Sequence, residues 1–446
     1  MYSCKKDWLE LKPRQALALP NTVPQLQALC DYDDVFNSYH PVLGELGSDD
    51  YYLPDENYTN LAEGHKNNYK WASGSDFYAG SIGYQSVWDR LYNSIFYANT
   101  ILENIEKVVV KTNSDSAAWK NVKGTAHFYR AFINYNLVQV YGKPYGTGTE
   151  STDPGIILRK EPDVNLKLPR SSVKETYDFI LSDLNQSLQF LPANQEYKTR
   201  PSIPAAFGLL ARVYLSMSDY DMAFLNADSC LKRYNTLLDY NTFANPTDYF
   251  AIEMYNPEVI FHSRMSNINS SLPLIFQLGR VDSVLYSLYD NNDLRKIVCF
   301  IDEGGVAYKG SYYGFPVFLF NGLATDEIYI IRAECSARKG QVSDAMNDIN
   351  AILANRWDDD AVFTPLTAAD QEDALNKVLI ERRKELCFRG LRWSDLRRFN
   401  LEPGREITLQ RKIGDETFVL PPNSERYVYP IPQSEMLFNP VVQNPR

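Results

Sequence analysis

The sequence predicts a mainly α-helical protein in which TPR-like helix pairs form a right-handed superhelical scaffold beside a large, irregular, loop-rich part. Apolar residues recur at helical rather than strand spacing over several long segments. Segment 206–227 also aligns with segment 328–349, and both combine a helix, a short polar turn and a second helix. Two long stretches, 38–83 and 234–322, lack that spacing, and loops of this length are usually functional.

The individual helices are predicted from apolar periodicity together with caps and breakers. Segment 87–109 places its apolar residues on one helical face, and segment 117–141 repeats the pattern before the Gly142-Lys143-Pro144 breaker. Ser171 or Ser172 caps a helix that ends before Pro192. The predicted pairs are 24–37 with 84–108, 115–141 with 171–191, 204–217 with 220–233, and 324–339 with 342–355.

The internal repeat supports this pairing. Ala211 aligns with Ala333, and Ala223 aligns with Ala345. Small residues at these positions let two antiparallel helices approach closely, as in a TPR unit. The separation of the units exceeds that of standard repeats, so insertions are expected between them.

The chain of 446 residues is long enough for one large body built from repeats. We predict a single body spanning 1–446. Its parts are an N-terminal part, 1–200, with the first helix pairs and loop 38–83, and a C-terminal part, 201–446, with the later pairs, insertion 234–322 and an extended end from Phe418.

Composition and charge limit the classes of ligand. A net charge of −11 argues against nucleic acid, because a phosphate backbone requires a basic surface. The 31 tyrosines and 22 phenylalanines exceed what a core of this size needs, so some rings are expected at the surface. A tyrosine ring with an apolar face and a polar edge suits sugars, peptides or a protein partner.

Cysteine and histidine usage predicts neither a metal site nor a cofactor. The six cysteines form no CxxC pair, and the four histidines are scattered. Cys230, Cys335 and Cys387 lie in helical apolar patterns and are expected in the core. No run of eighteen apolar residues exists, so no spanning helix is expected.

The charged segment 381–399 is the most distinctive part of the sequence. We interpret it as a helix start at which Glu381, Arg382, Arg383 and Glu385 pair with one another at a spacing of three to four residues. Gly390 breaks the helix. A structural ion-pair cluster is favoured over a catalytic or nucleic-acid role, because charge runs usually pair with themselves.

The same segment, ERRKELCFRGLRWSDLRRF, resembles the C-terminal signature of the SusD/RagB family of outer-membrane nutrient-binding lipoproteins. Arg389 departs from the pattern, since the family often has an acidic residue there. The order and spacing of further family-like segments agree over nearly the whole chain. These segments are 124–145, 198–223, 326–356 and 429–445.

The resemblance implies a binding protein, not an enzyme, on the outer face of a Bacteroidetes-type outer membrane. Such a protein forms a lid over a SusC-like TonB-dependent transporter and delivers an oligo- or polysaccharide to it. A peptide ligand, as in RagB-like uptake proteins, is the first alternative. The second is a TPR adaptor with protein partners only.

The N-terminal segment predicts a lipid anchor. Ser3-Cys4-Lys5-Lys6 looks like the end of a lipoprotein signal followed by a mature N-terminus. In bacterial lipoproteins this cysteine carries the lipid, so Cys4 is the expected attachment site. Attachment to the membrane is then expected through this lipid only.

Candidate ligand-binding residues come from two aromatic stretches. Aromatic faces pack against sugar C–H groups, while amides and carboxylates bind hydroxyls. The alternatives are that Trp71 folds back over its own loop, and that the second stretch is a hairpin whose rings cover a small sheet. Tyr51, Tyr52 and Tyr58 are weaker candidates. The predicted residues are Asn67, Tyr69, Trp71, Asp76 and Tyr78 in the first stretch, and Tyr312 and Tyr313 in the second.

Catalysis is not expected. Glu381 and Glu385 are one helical turn apart and face the same way, whereas glycoside hydrolysis needs two carboxylates that converge on one bond. The sequence contains no GxSxG, HExxH or P-loop motif.

Overall fold

The computed structural model describes residues 20–74, 78, 82–266, 278–315 and 318–446. About 48% of the chain is helical and the strands are few and short, so the predicted mainly α class is confirmed. None of the helices in these ranges has both the length and the apolar composition that a membrane span requires. Cys4 lies outside the described residues.

Helices and short strands alternate along the described ranges. The helices are α1 (Val23–Cys30), α2 (Asp33–Phe36), α3 (Leu43–Gly47), α4 (Asp55–Thr59), α5 (Glu63–Tyr69), α6 (Ile82–Ile105), α7 (Asn113–Tyr141), α8 (Val173–Phe190), α9 (Ile203–Ser216), α10 (Tyr220–Leu231), α11 (Ser283–Ser287), α12 (Arg295–Val298), α13 (Thr325–Arg338), α14 (Val342–Ala354), α15 (Gln371–Glu385), α16 (Arg392–Phe399) and α17 (Gln433–Phe438). The strands are β1 (Tyr51–Tyr52), β2 (Val259–Phe261), β3 (Arg280–Val281), β4 (Phe300–Asp302), β5 (Val306–Tyr308), β6 (Leu323–Ala324), β7 (Leu409–Ile413) and β8 (Glu416–Leu420).

The long helices pack as successive neighbours, which confirms the predicted pairs. Helix α6 packs on α7, α7 on α8, and α9 on α10, and α13 packs on both α10 and α14. Capping boxes at Thr112 and Ser172 fix the starts of α7 and α8. The predicted helix 24–37 is instead two short helices, α1 and α2.

Small residues lie where the paired helices meet, as the internal repeat predicted. Ala211, Ala223, Ala333 and Ala345 are all fully buried. Gly208 also admits a close neighbour, because a methyl group at this position would lie 3.2 Å from Cδ1 of Ile328. The predicted core cysteines, Cys230, Cys335 and Cys387, are buried as well.

The strands form only two-stranded antiparallel sheets within the described ranges. The pairs are β1 with β3, β2 with β6, β4 with β5, and β7 with β8. The stretch 38–83, predicted to be irregular, contains the short helices α3, α4 and α5. The C-terminal region, predicted to be extended from Phe418, contains the short helix α17.

The charged segment 381–399 is the end of a helix and not its start. Asp370 caps α15, and the helix runs to Glu385, so Glu381 lies in its last turns. Residues 371–380 form the earlier part of this helix and bury Ala374, Leu375 and Val378. Phe388 (φ 59°) and Gly390 (φ 75°) then turn the chain into α16.

The predicted ion-pair role of this segment is confirmed, although the partners come from distant parts of the chain. Arg295 donates to Glu385 at 2.7 Å and to Glu381 at 2.9 Å. Arg356 donates to Glu385 at 2.7 Å and to Glu258 at 2.9 Å. These arginines and Glu258 are almost fully buried.

The same segment also binds the helical scaffold and the N-terminal region. Arg398 donates to both carboxylate oxygens of Glu334 on α13, at 2.5 and 2.7 Å. Arg392 forms a similar two-point pair with Asp49, at 2.7 and 2.8 Å. Arg389, the departure from the family pattern, pairs with Asp326 at 2.6 Å.

We call this set of pairs the buried ion network. Its members are Asp49, Glu258, Arg295, Asp326, Glu334, Arg356, Glu381, Glu385, Arg389, Arg392 and Arg398. Removing one partner of a buried pair leaves an uncompensated charge, which typically costs about 3–5 kcal/mol. Loss of a single buried member is therefore expected to destabilise the fold.

Replacement of Arg398 by Met should lower the free energy of unfolding by about 3–5 kcal/mol, because Glu334 remains buried with weaker compensation. Urea unfolding followed by circular dichroism measures the change. Lys107→Ala breaks an exposed pair with Glu103 and should cost less than about 0.5 kcal/mol. Equal losses in the two variants would contradict the structural role of the network.

Candidate functional site

The first predicted aromatic stretch lies in the protein core. Trp71 is fully buried, and its indole N–H donates to the Gly47 carbonyl at 2.9 Å. The Arg411 guanidinium lies 4.6 Å from its ring centre. Its face is therefore covered by protein. Trp71 faces inward, as the alternative interpretation held, but these contacts are with Gly47 and Arg411 and not with its own loop.

The two tyrosines of this stretch are also occupied by internal contacts. The Tyr69 hydroxyl accepts a hydrogen bond from the Leu53 N–H at 2.8 Å, and the Tyr78 hydroxyl donates to the Pro430 carbonyl at 2.6 Å. Both side chains are buried. Asn67 is half-buried on α5, and Asp76 lies outside the described residues.

Tyr312 and Tyr313 have different environments although they are adjacent. Tyr312 is buried, and its hydroxyl donates to Glu258 of the buried ion network at 2.5 Å. Tyr313 is half-buried and contacts the rings of His262 and Phe318. Only Tyr313 of this pair remains available to a ligand.

Tyr313 belongs to a continuous group of rings at the protein surface. Phe250, Tyr255 and Phe315 expose 54%, 44% and 43% of their surface, and exposed apolar side chains that lie together often mark a binding site. Phe250 stacks on Phe315 with ring centres 5.5 Å apart. We call this group the aromatic surface; its members are Tyr39, Phe250, Tyr255, Tyr313, Phe315 and Phe318.

Three chain segments lie side by side and bring these rings together. The Arg264 N–H donates to the Asn37 carbonyl at 2.9 Å, and the Ser266 N–H donates to the His40 carbonyl at 2.9 Å. On the other side, the Met265 N–H donates to the Leu319 carbonyl at 2.8 Å. Segment 262–266 is thus held between 37–40 and 318–321.

Two tyrosines of the aromatic surface have left-handed backbone conformations. Tyr39 has a φ of 63° and Tyr255 a φ of 62°, values that are uncommon for aromatic residues. Such a conformation costs of the order of 1–3 kcal/mol and persists only when neighbouring structure imposes it. Strain of this kind is frequent in ligand-binding regions.

Cations lie among these rings. The Arg264 guanidinium is 4.5 Å from the Phe318 ring centre and 5.2 Å from that of Tyr39. Arg90 lies 4.0 Å from the Tyr39 ring centre. The arrangement therefore offers flat apolar faces and N–H donors on one surface, which is the combination that binds saccharides.

A cleft of about 580 Å³ lies elsewhere and is a weaker candidate. It is lined by Tyr51, Tyr52, Tyr69 and Trp71, among other residues. Tyr51, Tyr69 and Trp71 are buried, and only Tyr52 exposes a large part of its ring. The charged Arg383 in this cleft is paired with Asp50 at 2.9 Å.

Phe250, Tyr255 and Tyr39 were not among the residues predicted from the sequence. The stretch 245–258, NPTDYFAIEMYNPE, interleaves aromatic and turn residues inside the predicted insertion. That pattern was the available signal for Phe250 and Tyr255. Tyr39 could not be found in this way, because its place beside Arg264 depends on pairing between distant segments.

The structure gives Glu381 and Glu385, the glutamates considered for catalysis, a structural role, and a third buried glutamate, Glu45, is also held by internal contacts. Glu381 and Glu385 both accept hydrogen bonds from Arg295. Glu45 accepts from the Gly390 N–H at 2.7 Å, and burial raises the pKa of its carboxyl to about 8. The space next to Glu45 is only about 30 Å³, too small for a sugar ring.

His262 supports the aromatic surface from below and is expected to be neutral. Its ring lies 4.7 Å from that of Tyr255, and its Nδ1 has no hydrogen-bond partner. Burial, assisted by the positive charge of Arg264, lowers the pKa of His262 to about 4.

Acidification should destabilise the protein through His262. The pKa of His262 is lower in the folded than in the unfolded chain. Its contribution to the free energy of unfolding is therefore complete above about pH 6.5 and is lost towards pH 4. Urea unfolding measures the free energy of unfolding at pH 7.5 and at pH 5.0. Its decrease between these two pH values should be about 1–2 kcal/mol smaller in His262→Phe than in the wild type, and Phe keeps the ring contacts. Equal decreases in both proteins would refute this assignment.

Comparisons with known proteins give a consistent result. A family model described as "Starch-binding associating with outer membrane" matches residues 7–215, and the SusD family model matches residues 325–446. The SusD-like protein P2 of Formosa agariphila is 25% identical over 416 residues, covering 79% of this chain and 78% of that protein.

Solved structures share the fold. A SusD superfamily protein from Bacteroides vulgatus superposes with a TM-score of 0.74 at 23% identity, covering 95% of this chain and 99% of the other. Surface glycan-binding protein A from Bacteroides uniformis superposes with a TM-score of 0.71 at 16% identity, covering 95% and 98%. Two family models at opposite ends of the chain and a shared fold lead to one conclusion: the chain belongs to the SusD/RagB family.

Proposed function

We propose that this protein binds a glycan at the cell surface and delivers it to a SusC-like TonB-dependent transporter. The observation that carries the proposal is the aromatic surface, in which three large rings are exposed beside two guanidinium groups. The similarity to a surface glycan-binding protein and to a model described as starch-binding supports a saccharide ligand.

The geometry of the aromatic surface suits an oligosaccharide chain. The exposed rings of Phe250, Phe315 and Tyr255 belong to a row joined by ring contacts through Phe318, Tyr313 and His262. Successive sugar units can pack their C–H faces on such a row, because each ring offers a flat apolar face. The hydroxyls of Tyr255 and Tyr313 supply polar edges.

Replacement of Tyr255 and Phe315 together by Ala should weaken glycan binding at least tenfold, about 1.4 kcal/mol, because two exposed ring faces are lost. Affinity electrophoresis against a polysaccharide panel identifies the glycan, and calorimetry then measures Kd. Phe438→Ala, a ring on α17 that is 44% exposed, is the matched control and should leave Kd unchanged.

Other outcomes of this experiment distinguish the alternatives. If the protein binds short peptides but no glycan, its ligand is a peptide and not a saccharide. Unchanged glycan affinity in the double variant would move the site away from the aromatic surface. A protein that binds neither class, yet retains a protein partner, would be an adaptor.

Anchoring and delivery are the further parts of the proposal. A lipid on Cys4 would hold the protein at the outer membrane without a spanning helix. The helical scaffold, with TPR-like pairs α7–α8, α9–α10 and α13–α14, supplies the broad surface for the transporter.

The chain expressed behind a lipoprotein signal in a Bacteroidetes host should fractionate with outer membranes and co-purify with a TonB-dependent barrel, identified by mass spectrometry. Cys4→Ala should move the protein to the soluble fraction, because Cys4 is the proposed attachment point of the lipid, whereas the neighbouring Ser3→Ala should not. Membrane retention of the Cys4→Ala protein would contradict anchoring through that residue.

A further inference from the structure

The cations of the aromatic surface indicate what kind of saccharide it accepts. Arg264 exposes only 9% of its surface, yet no carboxylate oxygen of the described residues lies within 4.0 Å of its guanidinium nitrogens. Its Nη1 is buried and has no hydrogen-bond partner. Burial of a charge in this state is unfavourable unless an anion or strong acceptor reaches it.

This state differs from that of other deeply buried arginines in the described part of the chain. Arg295, Arg356 and Arg398 each contact at least one carboxylate in the buried ion network. Arg397 and Arg411 also lack a carboxylate partner, but their guanidinium groups donate to main-chain carbonyls. Arg264 is held instead between the rings of Tyr39, Tyr313 and Phe318, at 5.2, 5.6 and 4.5 Å from their centres. These contacts orient the guanidinium without using its N–H groups.

Arg90 provides a second cation at the same place. It is exposed, lies 4.0 Å from the Tyr39 ring centre, and forms no ion pair with a described residue. Tyr39 is thus contacted by two guanidinium groups. The nearby Asp33 influences Arg264 electrostatically, but it lies beyond ion-pair distance and its side chain is directed at the Ser38 hydroxyl, 3.4 Å away.

We infer that the aromatic surface selects an acidic saccharide, one whose sugar units carry carboxylate or sulfate groups. This inference rests on the proposed glycan-binding function. The rings contact the sugar faces, while Arg264, with Arg90 at the edge, donates hydrogen bonds to the anionic oxygens. A guanidinium suits this task because its paired N–H groups match the two oxygens of a carboxylate or sulfate.

The overall charge of the protein favours a local anion-binding site over general electrostatic attraction. The protein carries a net charge of −11, so general attraction to a polyanion is not expected. Binding of an acidic polysaccharide would therefore require a local site with unpaired donors.

The test compares matched acidic and neutral polymers. Polygalacturonate and its fully methyl-esterified form share one backbone, and a sulfated galactan and agarose form a similar pair for sulfate. We expect Kd to be at least tenfold lower for the acidic member of one pair, and the pair that responds identifies the anionic group. Equal affinity for both members of both pairs would overturn the inference.

Arginine variants show which residues cause the preference for the acidic polymer. Arg264→Met should reduce the preference for the acidic polymer at least tenfold, and Arg264→Lys should restore part of it because the charge is retained. Arg90→Met, at an exposed position that does not threaten folding, should reduce the preference at least threefold. Arg233→Met is the matched control, since Arg233 is also exposed and lies 4.8 Å from the Phe207 ring centre.

Failure of the inference and failure of the proposed function give different results. If the wild-type protein binds neutral glycans and the Tyr255→Ala, Phe315→Ala protein does not, the surface binds saccharides without selecting acidic ones, and only the inference fails. If no polysaccharide is bound, both fail. An acidic preference that survives in both Arg264→Met and Arg90→Met would place the anion site elsewhere and refute the assignment.

Discussion

Burial of ion pairs is the constraint on which the rest of this structure depends. The end of α15 and helix α16 contribute charges that are satisfied by three separate regions: the helical scaffold through Glu334, the loop-rich part through Arg295, and the N-terminal region through Asp49. Because each desolvated charge requires its partner, these regions are fixed relative to one another.

The buried ion network also positions the aromatic surface. Glu258 pairs with Arg356 and accepts a hydrogen bond from Tyr312, and its main-chain carbonyl accepts from the Thr325 N–H at 2.9 Å. The chain on either side of Glu258 carries Tyr255 towards solvent and His262 beneath it. The network thus supports the ligand-facing loops from inside the protein.

The sequence alone was sufficient to predict the helix pairs but not the residues of the candidate binding site. Periodicity and small residues such as Ala211 and Ala333 are local signals, and the pairs they predicted are present. The aromatic stretch around Trp71 gave no local sign of whether its rings face inward, since its partner Arg411 lies 340 positions along the chain. Tyr39 and Arg264 likewise meet only through pairing of distant segments.

The strained tyrosines connect the network to binding. Tyr39 and Tyr255 are two of the six non-glycine residues with positive φ in the described part of the chain, and both lie on the aromatic surface. A ring that is fixed in this way before a ligand arrives loses little conformational freedom on binding, which favours affinity. The free energy that holds these conformations must come from the surrounding structure. The pair between Glu258 and Arg356 fixes the chain three residues after Tyr255, and main-chain hydrogen bonds from Arg264 and Ser266 fix the chain on either side of Tyr39. The position of Tyr255 therefore depends in part on a buried charge that also stabilises the fold.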